Sequence, residues 1–158
     1  TALKLGADVP YFLAPAVGFA TGVGEEFIPL EGATTGLPLL IVNPRFPVSA
    51  KWAYAHLDPA TIGPDRADRV EALAAALRVG DPAGVAANLH NDLAPALYCK
   101  FPLLGILRRF LVENGALNAE ITGSGSTMYA VTPDRSTLRE LARRTRDHFG
   151  ETLLLFES

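Results

Sequence analysis

Leu117-Asn118-Ala119-Glu120-Ile121-Thr122-Gly123-Ser124-Gly125-Ser126-Thr127-Met128-Tyr129-Ala130-Val131-Thr132 is the stretch in which the hydrophobic period of the chain changes. Upstream of it, apolar residues recur at three- and four-residue steps. Within it they form two extended runs, residues 117–122 and 127–132, separated by a flexible Gly-Ser loop. Downstream, Pro133-Asp134 opens a helix whose Leu138, Leu141, Thr145 and Phe149 share one side. Basic residues gather toward its C-terminus, where the helix dipole favours them, and Gly150 ends it. Residues 151–156, centred on Leu153-Leu154-Leu155, read as a last strand.

Toward the N-terminus the pattern is helical. Pro102 opens a helix with Leu103, Ile106, Leu107, Phe110 and Leu111 on one face and Asn114-Gly115 as its stop. Asp81-Pro82 is an N-cap followed by proline at the first helical position. That helix carries Val85 and Leu89 and is expected to end near Asn91-Asp92. Val70, Leu73, Ala74 and Leu77 form the apolar stripe of another. Ser49 suits the N-cap of a short helix, residues 50–57, bearing Trp52 and Tyr54. The continuous apolar run 37–42 reads as a buried strand stopped by Asn43-Pro44, and residues 45–48 as a loop. Residues 17–30, with a central Gly22-Val23-Gly24, read as two short strands joined by a tight turn. Strands at both ends with helices between them predict an α+β fold, with helices packed on one face of a mainly antiparallel sheet. No repeat or linker marks off a second complete domain.

The 158 residues, 49% of them hydrophobic, suffice to fill one core. Charged residues make up 20% and the net charge is −3, so nothing points to a nucleic-acid or anionic-membrane partner. Cys99 is the single cysteine, which excludes an intramolecular disulfide and fits a reducing compartment. Its apolar neighbours predict a buried, inert thiol. No apolar run approaches the length of a membrane span and no signal peptide precedes the body. Thr1 stands where an initiating methionine is expected, and residues 1–5 read like the tail of a helix running up to Gly6, as in a chain that continues a larger protein.

Two stretches have candidate chemistry. In Leu5-Gly6-Ala7-Asp8-Val9-Pro10-Tyr11-Phe12, Asp8 lies between a pair of small residues and a stiff Val-Pro pair. An aspartate so placed caps a turn more often than it does chemistry. In Thr122-Gly123-Ser124-Gly125-Ser126-Thr127, two glycines let the backbone approach a ligand, and successive N–H and hydroxyl groups can hold phosphate oxygens. The loop has neither the lysine of a Walker A sequence nor the dinucleotide fingerprint, and a plain connection between strands is the commoner use of such residues. His56, His90 and His148 fit no familiar metal spacing. Arg139, Arg143 and Arg146 share a face better explained by solvent than by phosphate. Trp52 and Tyr54 point different ways on one short helix, so that one is core and the other is free to stack on a flat ring.

Taken in order, Leu5-Gly6-Ala7-Asp8-Val9-Pro10, Thr21-Gly22-Val23-Gly24-Glu25, Asn43-Pro44-Arg45-Phe46-Pro47-Val48-Ser49 with Tyr54, Asn91-Asp92-Leu93 and residues 122–127 resemble the C-terminal part of the 4-diphosphocytidyl-2-C-methyl-D-erythritol kinase family, within the GHMP kinase superfamily. The resemblance implies residues 1–16 as the tail of an N-terminal catalytic domain and 17–158 as a C-terminal substrate-binding domain. It implies a cytoplasmic bacterial enzyme of the non-mevalonate isoprenoid route, which uses ATP and Mg2+ to phosphorylate the 2-hydroxyl of a cytidine-diphosphate substrate. By the same resemblance Asp8 is the catalytic aspartate that takes the hydroxyl proton. Tyr54 is the aromatic that stacks on cytosine, and Gly123, Ser124, Gly125 and Ser126 line the substrate and phosphate region. Nothing is carried onto Asn91-Asp92, which read as a helix end.

The chemistry is consistent with those roles, since phosphoryl transfer requires mainly positioning and charge neutralisation. An aspartate base stays ionised near neutral pH only beside a polar or cationic group, and Lys4 is the nearest cation in sequence. Two departures matter. Ala50 replaces a threonine common in the family, which removes one hydroxyl contact. The glycine-rich ATP loop and catalytic lysine, expected upstream of the Asp8 motif in a missing N-terminal half, have no counterpart here, so this chain alone is expected to be inactive. The competing expectations are another GHMP small-molecule kinase and a non-catalytic α+β ligand-binding or interaction module.

Overall fold

In the computed structural model, which describes residues 17–22, 26–33, 36–62 and 66–158, the chain opens with two short strands, β1 (Gly18–Thr21) and β2 (Glu26–Pro29). They pair antiparallel with Thr21 opposite Glu26, as the glycine spacing predicts. The Asp8 motif, the proposed boundary at residue 16 and the 23–25 turn lie outside the described residues.

β3 (Leu39–Asn43) is followed by α1 (Ala50–Ala55), whose N-cap Ser49 accepts a hydrogen bond at Oγ from Trp52 N at 3.3 Å. The helical cluster comprises α2 (Arg66–Val79), α3 (Pro82–Ala87), α4 (Ala94–Lys100) and α5 (Pro102–Glu113). β4 (Asn118–Ile121), β5 (Met128–Val131), α6 (Arg135–Phe149) and β6 (Leu154–Glu157) complete the chain. The four later strands form one sheet in the order β4-β5-β3-β6, and every pairing is antiparallel. The fold is therefore α+β on an antiparallel sheet, as expected.

Side chains of alternate strand residues build the core. Leu40 and Val42 of β3, Met128 and Ala130 of β5, and Ala119 and Ile121 of β4 pack with Leu97 of α4, Leu104, Leu107 and Leu111 of α5, and Leu138 and Leu141 of α6. A smaller cluster joins Ala76 of α2 and Val85 and Ala86 of α3 to Leu37 and Val131. Val131 alternates with Ala130 along β5, so α2 and α3 cover part of the other side of the strands.

Several local expectations need correction. α1 stops at Ala55, two residues before the predicted end. α3 ends at Ala87 because Asn88 closes it: its backbone N–H reaches Val85 O at 3.1 Å and its side-chain amide donates to Gly84 O at 2.8 Å. α4 is an additional helix that apolar periodicity did not mark. It turns Leu97 inward and leaves Cys99, about 200° further round the helix, exposed rather than buried. On α5 the inward line is Leu104-Leu107-Leu111, while Leu103 and Ile106, placed on the inner face by periodicity, are exposed. Val70 likewise faces out from α2. A 3-10 turn, Gly150–Thr152, delays the last strand to Leu154. Arg139, Arg143 and Arg146 are exposed, with Arg143 bound to Glu140 and Asp147.

Gly84 is where α2 and α3 cross at backbone distance. A Cβ there would stand 2.8 Å from Ala76 Cβ and 2.6 Å from Asp81 Oδ2, the carboxylate that caps α3. Gly84→Ala is expected to destabilise the fold by about 1–3 kcal/mol through overpacking. A circular-dichroism melt with an unchanged Tm would show that the crossing is loose.

Candidate functional site

Tyr54 gains its position from its neighbour Trp52. The indole is half-buried against the core, edge-on to Phe101 at 5.9 Å and stacked on His56 at 4.2 Å between ring centroids. His56 Nδ1 lies 2.8 Å from Trp52 O and fastens the end of α1. With Trp52 turned inward, Tyr54 two residues on is turned outward, and it is 66% exposed. One ring is core and the other is free, as the sequence predicts.

Tyr54 forms part of the rim of a cleft of about 480 Å³. Leu57 and Ile62 continue its apolar side; Thr122, Gly123 and Tyr129 face the same space, Arg66 and Asp92 supply charge, and the His90 imidazole stands beside them. The cleft thus brings Tyr54 together with the first part of the Gly-Ser loop. Ser124, Gly125 and Ser126 do not line it. Ser126 is buried, and its hydroxyl donates to Phe46 O, tying the loop to residues 45–48. Asn43 Nδ2 adds a second tie to Thr127 Oγ1 at 2.9 Å. Gly125 sits at φ +80°, where a Cβ would approach Ile121 Cγ2 to 3.1 Å, so the bend itself requires glycine. Two amides of the loop are used internally: Thr122 N donates to Thr127 O at 2.9 Å and Gly125 N to Thr122 O at 3.0 Å.

Asn91 and Asp92, read from sequence as a helix end, are cleft residues. Asn91 opens the α4 turn by accepting Leu93 N at Oδ1, 2.9 Å, and Ala94 N at its backbone oxygen, 3.0 Å. Its Nδ2 donates to both Ile121 O and Gly123 O, each at 2.8 Å. Asp92 takes His90 Nε2 at 2.8 Å and lies 3.7 Å from Arg66 Nη1. Arg66 and His90 carried no signal beyond their residue type, and the two segments that hold them meet only in the fold.

Beneath the cleft, Glu120 is buried and accepts from Tyr98 Oη at 2.8 Å and from Ile121 N at 2.8 Å. Burial, with the Glu120 charge adding to it, pushes the Tyr129 phenol up to about 12. Burial also raises Tyr98 well above the ordinary tyrosine value, helped by the charge of Glu120 and the hydrogen bond donated to it. Both phenols are therefore neutral donors at physiological pH. Among the described residues, no group of three His, Cys, Asp or Glu side chains is placed to hold a metal ion.

A family model, GHMP kinases C terminal, matches residues 72–151. The chain belongs to the GHMP kinase C-terminal family. It is 36% identical over 143 residues to 4-diphosphocytidyl-2-C-methyl-D-erythritol kinase of Pelotomaculum thermopropionicum, covering 90% of this chain and 49% of that protein. The enzyme of the same name from Syntrophotalea carbinolica is 34% identical over 155 residues, 94% of this chain and 50% of the relative. A crystal structure of 4-(cytidine 5'-diphospho)-2C-methyl-D-erythritol kinase superposes with a TM-score of 0.80 at 29% identity, over 98% of this chain and 54% of the other. Homoserine kinase from Cytophaga hutchinsonii shares the fold, with a TM-score of 0.69 at 20% identity over 84% of this chain and 44% of that one. The GHMP chain thus spans about half the length of the relatives it matches.

The raised phenols give a pH test. Their folded values lie above the unfolded value of about 10, so their stabilisation is complete below that pH and is lost as pH rises through the folded values. Tyrosinate absorbance is expected to show the Tyr129 step near pH 12, and Tyr129→Phe to remove it. A Tyr129 step at the ordinary tyrosine pH would refute its burial beside Glu120.

Proposed function

We propose that this chain is the C-terminal, substrate-binding part of an ATP-dependent kinase that phosphorylates the 2-hydroxyl of 4-diphosphocytidyl-2-C-methyl-D-erythritol. The observation that carries the reading is the cleft shared by exposed Tyr54 and the start of the Gly-Ser loop. A flat aromatic ring opposite a hydroxyl- and amide-bearing backbone is suited to a ligand with a base at one end and phosphates beyond it. The names of the relatives support the same substrate.

In this reading the cytosine stacks on Tyr54, and the diphosphate and methylerythritol extend toward Thr122 and Gly123, with Ser124, Gly125 and Ser126 shaping that part of the loop. The 2-hydroxyl oxygen attacks the γ-phosphorus of ATP as the bond to the bridging oxygen breaks. ADP leaves, and the hydroxyl proton passes to the Asp8 carboxylate. Asp92 is not assigned this role, because His90 and Arg66 already engage its oxygens. Mg2+, which the family implies, would neutralise charge on the β- and γ-phosphates. Among the described residues no group of three His, Cys, Asp or Glu side chains is placed to hold it, and no step here is assigned to it. The nucleotide loop and lysine belong in this reading to an N-terminal half, and the enzyme works in the cytoplasm. Ala50 supplies no hydroxyl to the ligand, which leaves more of the recognition to Tyr54.

The kinase assay on full-length protein with the cytidine substrate and ATP tests this. Asp8→Asn is expected to lower kcat by about 10²–10⁴-fold, the range for a lost general base. Tyr54→Ala is expected to raise KM for the cytidine substrate about 5- to 150-fold, from loss of about 1–3 kcal/mol of stacking. The isolated 158-residue chain is expected to show no turnover. Normal turnover by Asp8→Asn would favour a non-catalytic binding module. Activity on a different small alcohol in a substrate panel would favour another GHMP kinase.

A further inference from the structure

The Gly-Ser loop has ties on two sides, and they differ in kind. On the side of residues 43–48 it is held by the hydroxyls of Ser126 and Thr127. On the cleft side, among the described residues, the Asn91 side chain holds it. The carboxamide of Asn91 uses both amide hydrogens, one on Ile121 O at the end of β4 and one on Gly123 O inside the loop. Its remaining oxygen caps Leu93 N. An amide is suited to this junction because it alone among side chains of that size supplies two donors and an acceptor in one plane. Gly123 needs such a restraint, since at φ +55° with open space where a Cβ would be, its own sterics do little to fix it.

We propose that Asn91 is a positioning residue for the phosphotransfer reaction: it locks Thr122 and Gly123 against the cleft so that the substrate meets a preformed backbone. This rests on the functional reading above. Asn91 acts through the loop, and its contribution is geometric. Ångström-scale misplacement of a reacting group can lower a rate about 10²-fold.

Asn91→Asp separates the two duties of the side chain. The carboxylate keeps an acceptor for Leu93 N, preserving the start of α4, but turns an oxygen toward two carbonyl oxygens where two donors were. Asn91→Ser provides a second variant: its hydroxyl still caps Leu93 N but is too short to span both carbonyls. The experiment uses the full-length protein and follows kcat and KM with the cytidine substrate, the thermal melt, and amide exchange of residues 122–126. The expected result is about a 10- to 100-fold loss in kcat/KM for the cytidine substrate, an unchanged KM for ATP, and faster exchange at Gly123 and Ser124. A purely structural cap would lower Tm and leave both the kinetics and loop exchange of the folded protein unchanged, and that result overturns the role. If Asn91→Asp melts too low to assay, Asn91→Ser is judged by the same criteria. Wild-type turnover is measured first: its absence overturns the functional reading and this role with it, whereas wild-type turnover beside unaffected variants overturns the role alone.

Discussion

The pairing of β3 with β5 decides where the cleft can be. Val42 lies opposite Met128, so the chain leaves β3 at the same end from which it enters β5. Residues 43–48 and 122–127 therefore emerge side by side although they are far apart in sequence. Asn43 and Thr127 fasten the two segments through their side chains, and Ser126 adds a bond to Phe46 O. Residue 50 then begins the helix that carries Tyr54. A slip of one residue between the two strands would turn Leu40 and Val42, both fully buried, to the opposite side of the sheet and part these ties. The apolar core thus enforces a register, and the register places an aromatic ring beside a glycine loop.

Much of this frame was legible because its signals are local. The hairpin at 117–132 shows a change of period and a Gly-Ser break, and it folds as β4 and β5 to within a residue or two at each end. The last helix shows its cap: Asp134 Oδ1 accepts from Thr137 N at 2.7 Å, and Leu138, Leu141 and Thr145 face inward as their spacing predicts. α4 was not legible. Pro95 and the short span between Asp92 and Phe101 hide its single turn of buried leucine, and only packing against the sheet makes it a helix. The inner face of α5 was ambiguous for another reason. Leu103, Leu104, Ile106, Leu107, Phe110 and Leu111 spread over an arc of about 160°, so periodicity gives a broad stripe and the sheet chooses Leu104, Leu107 and Leu111.

The site divides in the same way. Tyr54 could be found, since two aromatics two residues apart on a helix cannot both face inward. Asn91 could not, because an asparagine before aspartate reads locally as a stop, and its amide acts on carbonyls some thirty residues downstream. The polar group of Arg66, His90 and Asp92 is assembled from two segments that share no motif. Functional residues joined only by tertiary structure leave no spacing to read.

The state of the charges in the cleft bears on what this part of the protein contributes. Asp92 is the one carboxylate among the described residues that line it, and it is engaged by His90 and Arg66. Tyr129 keeps its proton up to about pH 12, so its hydroxyl can offer a hydrogen bond to a ligand but is no phenolate base at neutral pH. His90 already points a ring nitrogen at Asp92. Beside them stand an exposed ring, a polar backbone bend and a neutral phenol, groups that recognise and orient a ligand. In the proposed function the proton acceptor for the alcohol is Asp8, which is not among these lining residues. In that reading these groups grip the acceptor molecule, and the nucleotide site is assigned to residues outside this cleft.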